Sequence, residues 1–369
     1  MSELPQPDAH TKQAIETLLD HLPPDTQHRD LLRKLLAQVM AMPLDELKRG
    51  ELKLLNSTLK DFRASFNTFA KHRTKRKISI FGSARSPEGS PIYEHCKRFA
   101  AACVERGYMV ITGAGPGIME AGNQGATREH SFGVSIDLPF EASANRYIDG
   151  DPKLVHFKYF FTRKLNFVKE SDAIVLYPGG YGTMDEGFET LTLLQTGKCD
   201  PLPFVLIDTP GGGYWPAWER YLRENLLARG LISPYDRNLY RFTTNIEQAL
   251  SEIEQFYRCY HSLRYVGNYT ILRLKAEPEP EVLELLNERY SDLLAEGEFE
   301  LMAGPHPAEN NEPQAILALP RIGFRFVQRR FGRLRRLIDD LNLRIEAPSC
   351  PHAEDPPRGH GALELPATD

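Results

Sequence analysis

The sequence predicts an α/β fold: a doubly wound parallel sheet, with an N-terminal helical arm and a small C-terminal α+β domain. Three observations predict it. Between residues 76 and 260, short β-branched apolar runs alternate with amphipathic helical patterns, the order of a parallel sheet covered on both faces. Several of those runs end in turn-formers: Gly82-Ser83-Ala84-Arg85, Gly113-Ala114-Gly115-Pro116-Gly117 and Pro178-Gly179-Gly180. After Tyr260 the order changes to strand, helix, two strands and helix, which marks a second, smaller domain.

Composition bounds the class. The chain has 369 residues, 41% hydrophobic and 26% charged, enough for a large core and more than one domain. Net charge is −5, so bulk charge does not draw it to polyanions. No apolar run approaches a membrane span, and MSELPQPDAH lacks the layout of a signal peptide. The five cysteines are scattered, with no Cys-x-x-Cys and no His-Glu-x-x-His. These features lead us to expect a reduced, cytoplasmic protein with no membrane partner, no metal and no cofactor.

Residues 1–75 read as the helical arm. Ala14, Leu18, Leu19 and Leu22 share one face, Leu31, Leu32, Leu35, Leu36 and Val39 a second, and Leu52, Leu55, Leu59 and Phe62 a third. Pro23-Pro24 and Pro43 separate them. The arm is expected to pack on the main domain or on another subunit. Lys71 to Lys77 reads as a solvated basic linker entering a strand, rather than as a nucleic-acid patch.

Residues 76–260 carry the α/β core. Expected strands are Ile78–Gly82, Tyr108–Thr112, Gly133–Leu138, Val155–Phe157, Ala173–Tyr177, Leu202–Asp208 and Tyr240–Thr243. Expected helices are Ile92–Arg106, Ile118–Glu129, Phe161–Lys169, one opening at Gly182-Thr183, Trp215–Arg229 and Ile246–Tyr257. Right-handed crossovers then bring the glycine turns to one sheet edge. Residues 261–345 read as a loosely ferredoxin-like or ACT-like domain. Its expected strands are Tyr269–Leu274, Glu298–Met302 and Ala315–Leu319, its helices Glu281–Leu294 and Val327–Leu341, and Gly304–Pro313 is a polar loop. Residues 346–369 are proline-rich, with little apolar content, and are expected to be disordered.

The chemistry centres on Ser171–Glu189. A strand, a glycine turn and a helix leave backbone N–H groups at a positive helix end, which suits a phosphate. Gly113 to Ile118 lacks the dinucleotide pattern G-x-G-x-x-G, and no turn carries the Gly-Lys-Ser/Thr of a triphosphate loop. A monophosphate or mononucleotide remains. Arg163, Lys164, Glu186 and Glu189 lie near this turn in sequence, and Ser83 and Arg85 follow the first strand. By residue type alone, the acids fit either a helix-dipole role or chemistry, and the cations either a solvated face or a ligand.

Pro178-Gly-Gly-Tyr-Gly-Thr183-Met-Asp-Glu186 resembles the P-G-G-x-G-T-x-x-E motif of the LOG family. Phe81-Gly-Ser-Ala-Arg85, Gly113-Ala-Gly-Pro-Gly-Ile-Met-Glu-Ala121 and Leu138-Pro-Phe-Glu141 with Asn145 are similar to further family segments. Arg163-Lys164, Thr192 and Gln195-Thr-Gly197 extend the likeness, which covers about residues 76–258. Ala114 departs from it, where glycine is commoner. The resemblance implies a Rossmann-like domain that hydrolyses the N-glycosidic bond of nucleoside 5′-monophosphates, with base preference open. It implies Arg163 and Glu186 as catalytic residues. It implies substrate contacts from Ser83, Gly115, Lys164, Gly179, Gly180, Tyr181, Gly182, Thr183 and Thr192. It also implies a homodimer or larger homo-oligomer.

Two rival readings are weighed beside it. One is a non-catalytic nucleotide-binding sensor, which would need the glycine turns but not Arg163 and Glu186. The other is nucleic-acid binding through the basic stretch Phe324–Arg336. That stretch reads instead as an amphipathic helix packed on its own small sheet, so no nucleic-acid partner is expected.

Overall fold

The computed structural model describes residues 6–137 and 144–346. Two compact units divide between Lys60 and Asp61. In the first, α1 (Ala9–Asp20) opens on Asp8, whose carboxylate accepts from the Thr11 N–H at 2.7 Å. α2 (Arg29–Ala41) lies against α1, with Arg33 paired to Glu16 at 2.5 Å. Leu31, Leu35 and Val39, expected on an apolar face, are about half exposed. α3 (Arg49–Ala70) follows, and the division falls inside it.

The second unit begins with a seven-stranded parallel sheet. In chain order it is β1 (Lys77–Phe81), α4 (Pro91–Glu105), β2 (Met109–Thr112), α5 (Ile118–Ala126), β3 (Ser131–Ile136), β4 (Leu154–Phe157), α6 (Phe160–Glu170), β5 (Ala173–Leu176), α7 (Tyr181–Thr196), β6 (Phe204–Ile207), α8 (Tyr214–Tyr221), β7 (Arg241–Thr243) and α9 (Ile246–Phe256). The strand order is β4-β3-β2-β1-β5-β6-β7. Alternate side chains enter two cores. Ile111, Ile174, Leu176 and Phe204 join the core that includes Phe167, Leu194 and Trp215. Ile80, Val110, Val175 and Val205 join the core that includes Phe99, Ile118 and Leu250. This is the doubly wound sheet that the sequence predicts. The order reverses between β1 and β5, and the crevice beyond the carboxyl ends of strands at such a point is where open α/β sheets bind ligands.

The basic run is a correction. Its last two residues are buried rather than solvated: Lys77 begins β1, and Arg76 pairs with Asp172 at 3.3 Å and lies 3.7 Å over the Tyr257 ring.

The remaining elements form the antiparallel sheet β10-β11-β9-β8. They are β8 (Tyr260–Val266), β9 (Tyr269–Leu274), α10 (Pro280–Arg289), β10 (Leu294–Leu301), the single turn α11 (Gln314–Leu317), β11 (Arg321–Phe326) and α12 (Phe331–Arg344). Three expectations are corrected. Tyr260–Val266 is an additional strand. Ala315–Leu319 begins as a helical turn, and its strand lies beyond Pro320. The last helix starts at Phe331, because Ile322, Phe324 and Phe326 alternate inward as a strand does. The resulting β-β-α-β-β-α is a rotation of the ferredoxin-like order.

The arginine-rich stretch is therefore part strand and part helix, and its cations are largely matched. Arg325 pairs with Glu296, Arg330 and Arg333 with Asp292, and Arg336 with Asp340. Arg335 is buried between Glu252 and Asp339, at 2.5 and 3.0 Å. Phe331 of α12 lies over Gly197, which ends α7 at φ +66°; a β-carbon there would fall 2.0 Å from the ring. The expected polar loop is a strap whose Glu309 is fully buried between Arg273 and Arg321. The proline-rich tail lies outside the described residues, except Glu346.

Candidate active site

A cleft of about 720 Å³ opens at the sheet's switch point. Phe81 to Arg85 line it from the end of β1, Gly179 to Glu186 from the turn and helix after β5, and Arg163 and Phe160 from α6. The sequence brings these loops together through close backbone contacts. The Ser83 N–H donates to the Pro178 carbonyl at 3.1 Å, and the Ile118 N–H to the Ser83 carbonyl at 3.0 Å. Gly117 holds φ +69°, and a β-carbon on it would fall 2.4 Å from the Ser83 carbonyl oxygen. Only glycine fits that crossing of the first two loops.

The turn after β5 is set by two further contacts. A β-carbon on Gly179 would lie 2.1 Å from Thr183 Oγ1, and the Tyr214 hydroxyl donates to the Gly179 carbonyl at 2.5 Å. Among the described residues, the N–H groups of Tyr181, Gly182 and Thr183 have no acceptor within the protein. Three donors at a helix N-terminus form an anion cradle. The space above Gly180 and Gly182 is open. Gly187 presses α7 onto β5, where a β-carbon would meet Leu176 at 2.7 Å. That close approach fixes Glu186 at the floor of the cleft.

Glu186 is 9% exposed. Burial pushes its carboxyl up to about 7; Lys164 and then Arg163 pull it back, and Glu189 and Asp185 add repulsion. Lys164 lies 3.8 Å from Glu186 and is bonded to Asp185 at 2.8 Å and Glu189 at 2.6 Å. Burial lowers the Lys164 ammonium, but those carboxylates outweigh it, so the group stays above its ordinary range. Arg163 reaches from α6 to donate through Nε to the Val134 carbonyl at 2.8 Å. Gly113 makes room for its guanidinium, since a β-carbon there would lie 2.5 Å from the terminal nitrogen.

Of the predicted residues, Ser83, Arg163, Gly179, Gly180, Tyr181, Gly182, Thr183 and Glu186 line the cleft. Lys164 stands behind Glu186. Gly115 and Thr192 are outside the lining. The Gly115 carbonyl accepts from Asn145 at 3.0 Å, and the Thr192 hydroxyl, exposed on α7, bonds back to Phe188. Asn145 also binds the Ala114 carbonyl and Asn123, which pins the second loop with Ala114 at φ +62°. Leu138 to Glu141 lie outside the described residues.

Sequence reasoning missed two positioning groups. Tyr214 begins α8 and touches the turn. Asp61, buried in α3, accepts from the Lys158 N–H at 3.1 Å and the Thr162 hydroxyl at 2.9 Å, and so seats the start of α6 below Arg163. An aspartate on the otherwise apolar stripe around Phe62, Ser65 and Phe69 was the only available signal. Among the described residues, no group of three His, Cys, Asp or Glu side chains could hold a metal ion. No helix among them is long and apolar enough to cross a membrane. The four described cysteines are buried and unpaired with one another.

Residues 117–253 match the family described as "Possible lysine decarboxylase". The match covers a little over a third of the chain, and the likeness to the LOG family is one of distant homology. It is 29% identical over 99 residues to "Cytokinin riboside 5'-monophosphate phosphoribohydrolase LOG3" of Arabidopsis thaliana, covering 27% of this chain and 44% of that protein. It is 28% identical over 183 residues to "Cytokinin riboside 5'-monophosphate phosphoribohydrolase" of Mycobacterium tuberculosis, covering 47% of this chain and 95% of that one. The chain thus spans less than half the length of the first relative and nearly all of the second. It is also similar to the solved molybdenum cofactor carrier protein of Chlamydomonas reinhardtii, with 17% identity, coverage of 49% and 97%, and a TM-score of 0.35.

Proposed function

We propose that the protein hydrolyses the N-glycosidic bond of nucleoside 5′-monophosphates, releasing the free base and ribose 5-phosphate. The observation that carries this reading is Glu186, a buried carboxyl near neutrality that faces a cleft whose rim is a cradle of unpaired N–H groups. The phosphate sits on the donors of Tyr181, Gly182 and Thr183, with Gly179, Gly180 and Ser83 shaping the turn. This places the ribose over Glu186. As the bond from C1′ to the base nitrogen breaks, the sugar becomes oxocarbenium-like, and the ionised Glu186 stabilises it and orients the water. The water oxygen bonds to C1′. Arg163 keeps its charge, so it donates a hydrogen bond to the departing base rather than a proton; the proton lost by water ends on the base. Lys164 holds Glu186 toward its ionised form, and the expected substrate contacts of Gly115 and Thr192 would be indirect, through loop and helix position. A homo-oligomer belongs to the proposal; Phe160, Phe161 and Tyr181 are exposed beside the cleft, where a second copy would cover them.

The test is a panel of nucleoside 5′-monophosphates assayed for free base and ribose 5-phosphate. Release by the wild type and not by Glu186→Gln supports the reading and ranks the bases. Binding without release from any member would overturn it in favour of a nucleotide sensor. Arg163→Lys is expected not to restore full turnover, because the planar fork is lost. A monomer by light scattering would remove the oligomer.

A further inference from the structure

A second cavity, of about 610 Å³, lies on the far side of α8, at the edge strand β7. Its walls carry Arg220, Arg223, Arg237 and Arg241 against one carboxylate, Glu219, in a chain whose net charge is −5. Glu219 is already taken. Arg237 binds it at 2.7 Å, and the Tyr240 hydroxyl donates to its other oxygen. Arg241 is held in place by Asp339 at 2.8 Å. Arg220 makes no hydrogen bond or ion pair among the described residues, and Arg223 has only its exposed neighbour Glu224 at 3.4 Å. The surplus positive charge therefore has no partner within the cavity.

The floor is apolar and aromatic. Leu206 and Trp215 are buried in it, while Phe242 stands 45% exposed on β7. A cation row beside an uncovered ring is suited to a flat group that also bears negative charge. The helix itself is irregular here: α8 passes at Leu222 into a π-helical segment, Leu222–Leu227, which carries Arg223. Such segments are rare and concentrate at functional sites.

We propose that this cavity binds a small, ring-bearing organic anion, with a phosphate or carboxylate on Arg220 and Arg223 and its ring against Phe242. The site is separate from the switch-point cleft, although the two share α8, whose first residue, Tyr214, lines that cleft. The chain holds two tryptophans, and both, Trp215 and Trp218, lie on α8, so intrinsic fluorescence reports on the cavity.

The full chain is titrated with phenyl phosphate while tryptophan emission is read, with inorganic phosphate, benzoate and poly-glutamate in parallel. A saturable change with phenyl phosphate or benzoate, weakened at least tenfold in the Arg220→Gln/Arg223→Gln double variant and unchanged in Gly182→Ala, supports the site. Both arginines are exposed, so the double variant keeps its fold; circular dichroism checks this. Weakening by Gly182→Ala with no effect of the double variant would place the ligand in the first cleft and overturn the proposal. Inorganic phosphate binding as tightly as phenyl phosphate would overturn the ring-bearing class. A response to poly-glutamate alone would replace the small ligand by an acidic protein partner.

Discussion

Replacing Glu186 by glutamine should remove activity and raise stability in the same molecule. Burial lifts this carboxyl from an ordinary 4.5 to about 7. A group whose folded value is raised favours the folded state fully below its unfolded value and loses that contribution as pH rises through the folded one. At about 1.4 kcal/mol per pH unit, ionised Glu186 costs the folded state about 3 kcal/mol above pH 8. Glutamine keeps the shape and carries no charge. Lys164 still has Asp185 and Glu189, so no cation is left unpaired. The variant should therefore be more stable than wild type by about 3 kcal/mol at pH 9, and by less than about 1 kcal/mol at pH 5. Urea unfolding of both proteins across that range measures the gap. A gap independent of pH, or a variant less stable at pH 9, would refute the argument that Glu186 is held against its own desolvation.

Three other predictions follow from the same geometry. The acid limb of kcat/KM should lie near pH 7 in wild type, where Glu186 ionises, and Lys164→Gln should move it upward; an unmoved limb would detach Lys164 from Glu186. Gly179→Ala should cost about 1–3 kcal/mol, because its β-carbon meets Thr183; Gly182→Ala, which meets open space, should leave the melting temperature unchanged yet weaken nucleotide binding, and calorimetry separates the two. Glu309→Gln should destabilise the chain by about 3–5 kcal/mol, since Arg273 and Arg321 lose a buried partner. Burial raises the Glu309 carboxyl, but the His306 N–H and the two arginines outweigh it and hold it below 4.5, so its contribution is present above that pH and fades in acid.

The α/β core was legible because its signals are local. Most strands of the parallel sheet are short apolar runs, and β1, β2 and β5 end where glycine or proline breaks them. The antiparallel sheet of β8 to β11 was less legible. Arg321, Gly323 and Arg325 alternate with Ile322, Phe324 and Phe326, and so many arginines read as a helix when the period is two. The basic run misled for a related reason. Arg76 and Lys77 look like solvent-facing residues until Asp172 and Tyr257, distant in sequence, are placed beside them.

The sequence by itself determined the strand-turn-helix order, the glycines at the sheet edge, and the residue types Arg163 and Glu186 that stand beside them. Only the tertiary structure decided that β1 and β5 are neighbours, so that the turns after them form one cleft. It also decided that Glu186 is buried near neutrality, that Lys164 faces three carboxylates, and that four arginines spread over Arg220 to Arg241 meet around a second cavity. The physical reason is the range of the forces involved. Turn chemistry and side-chain period act over a few residues and are written along the chain. Desolvation and charge pairing depend on which distant segments share a dielectric, and packing alone sets that.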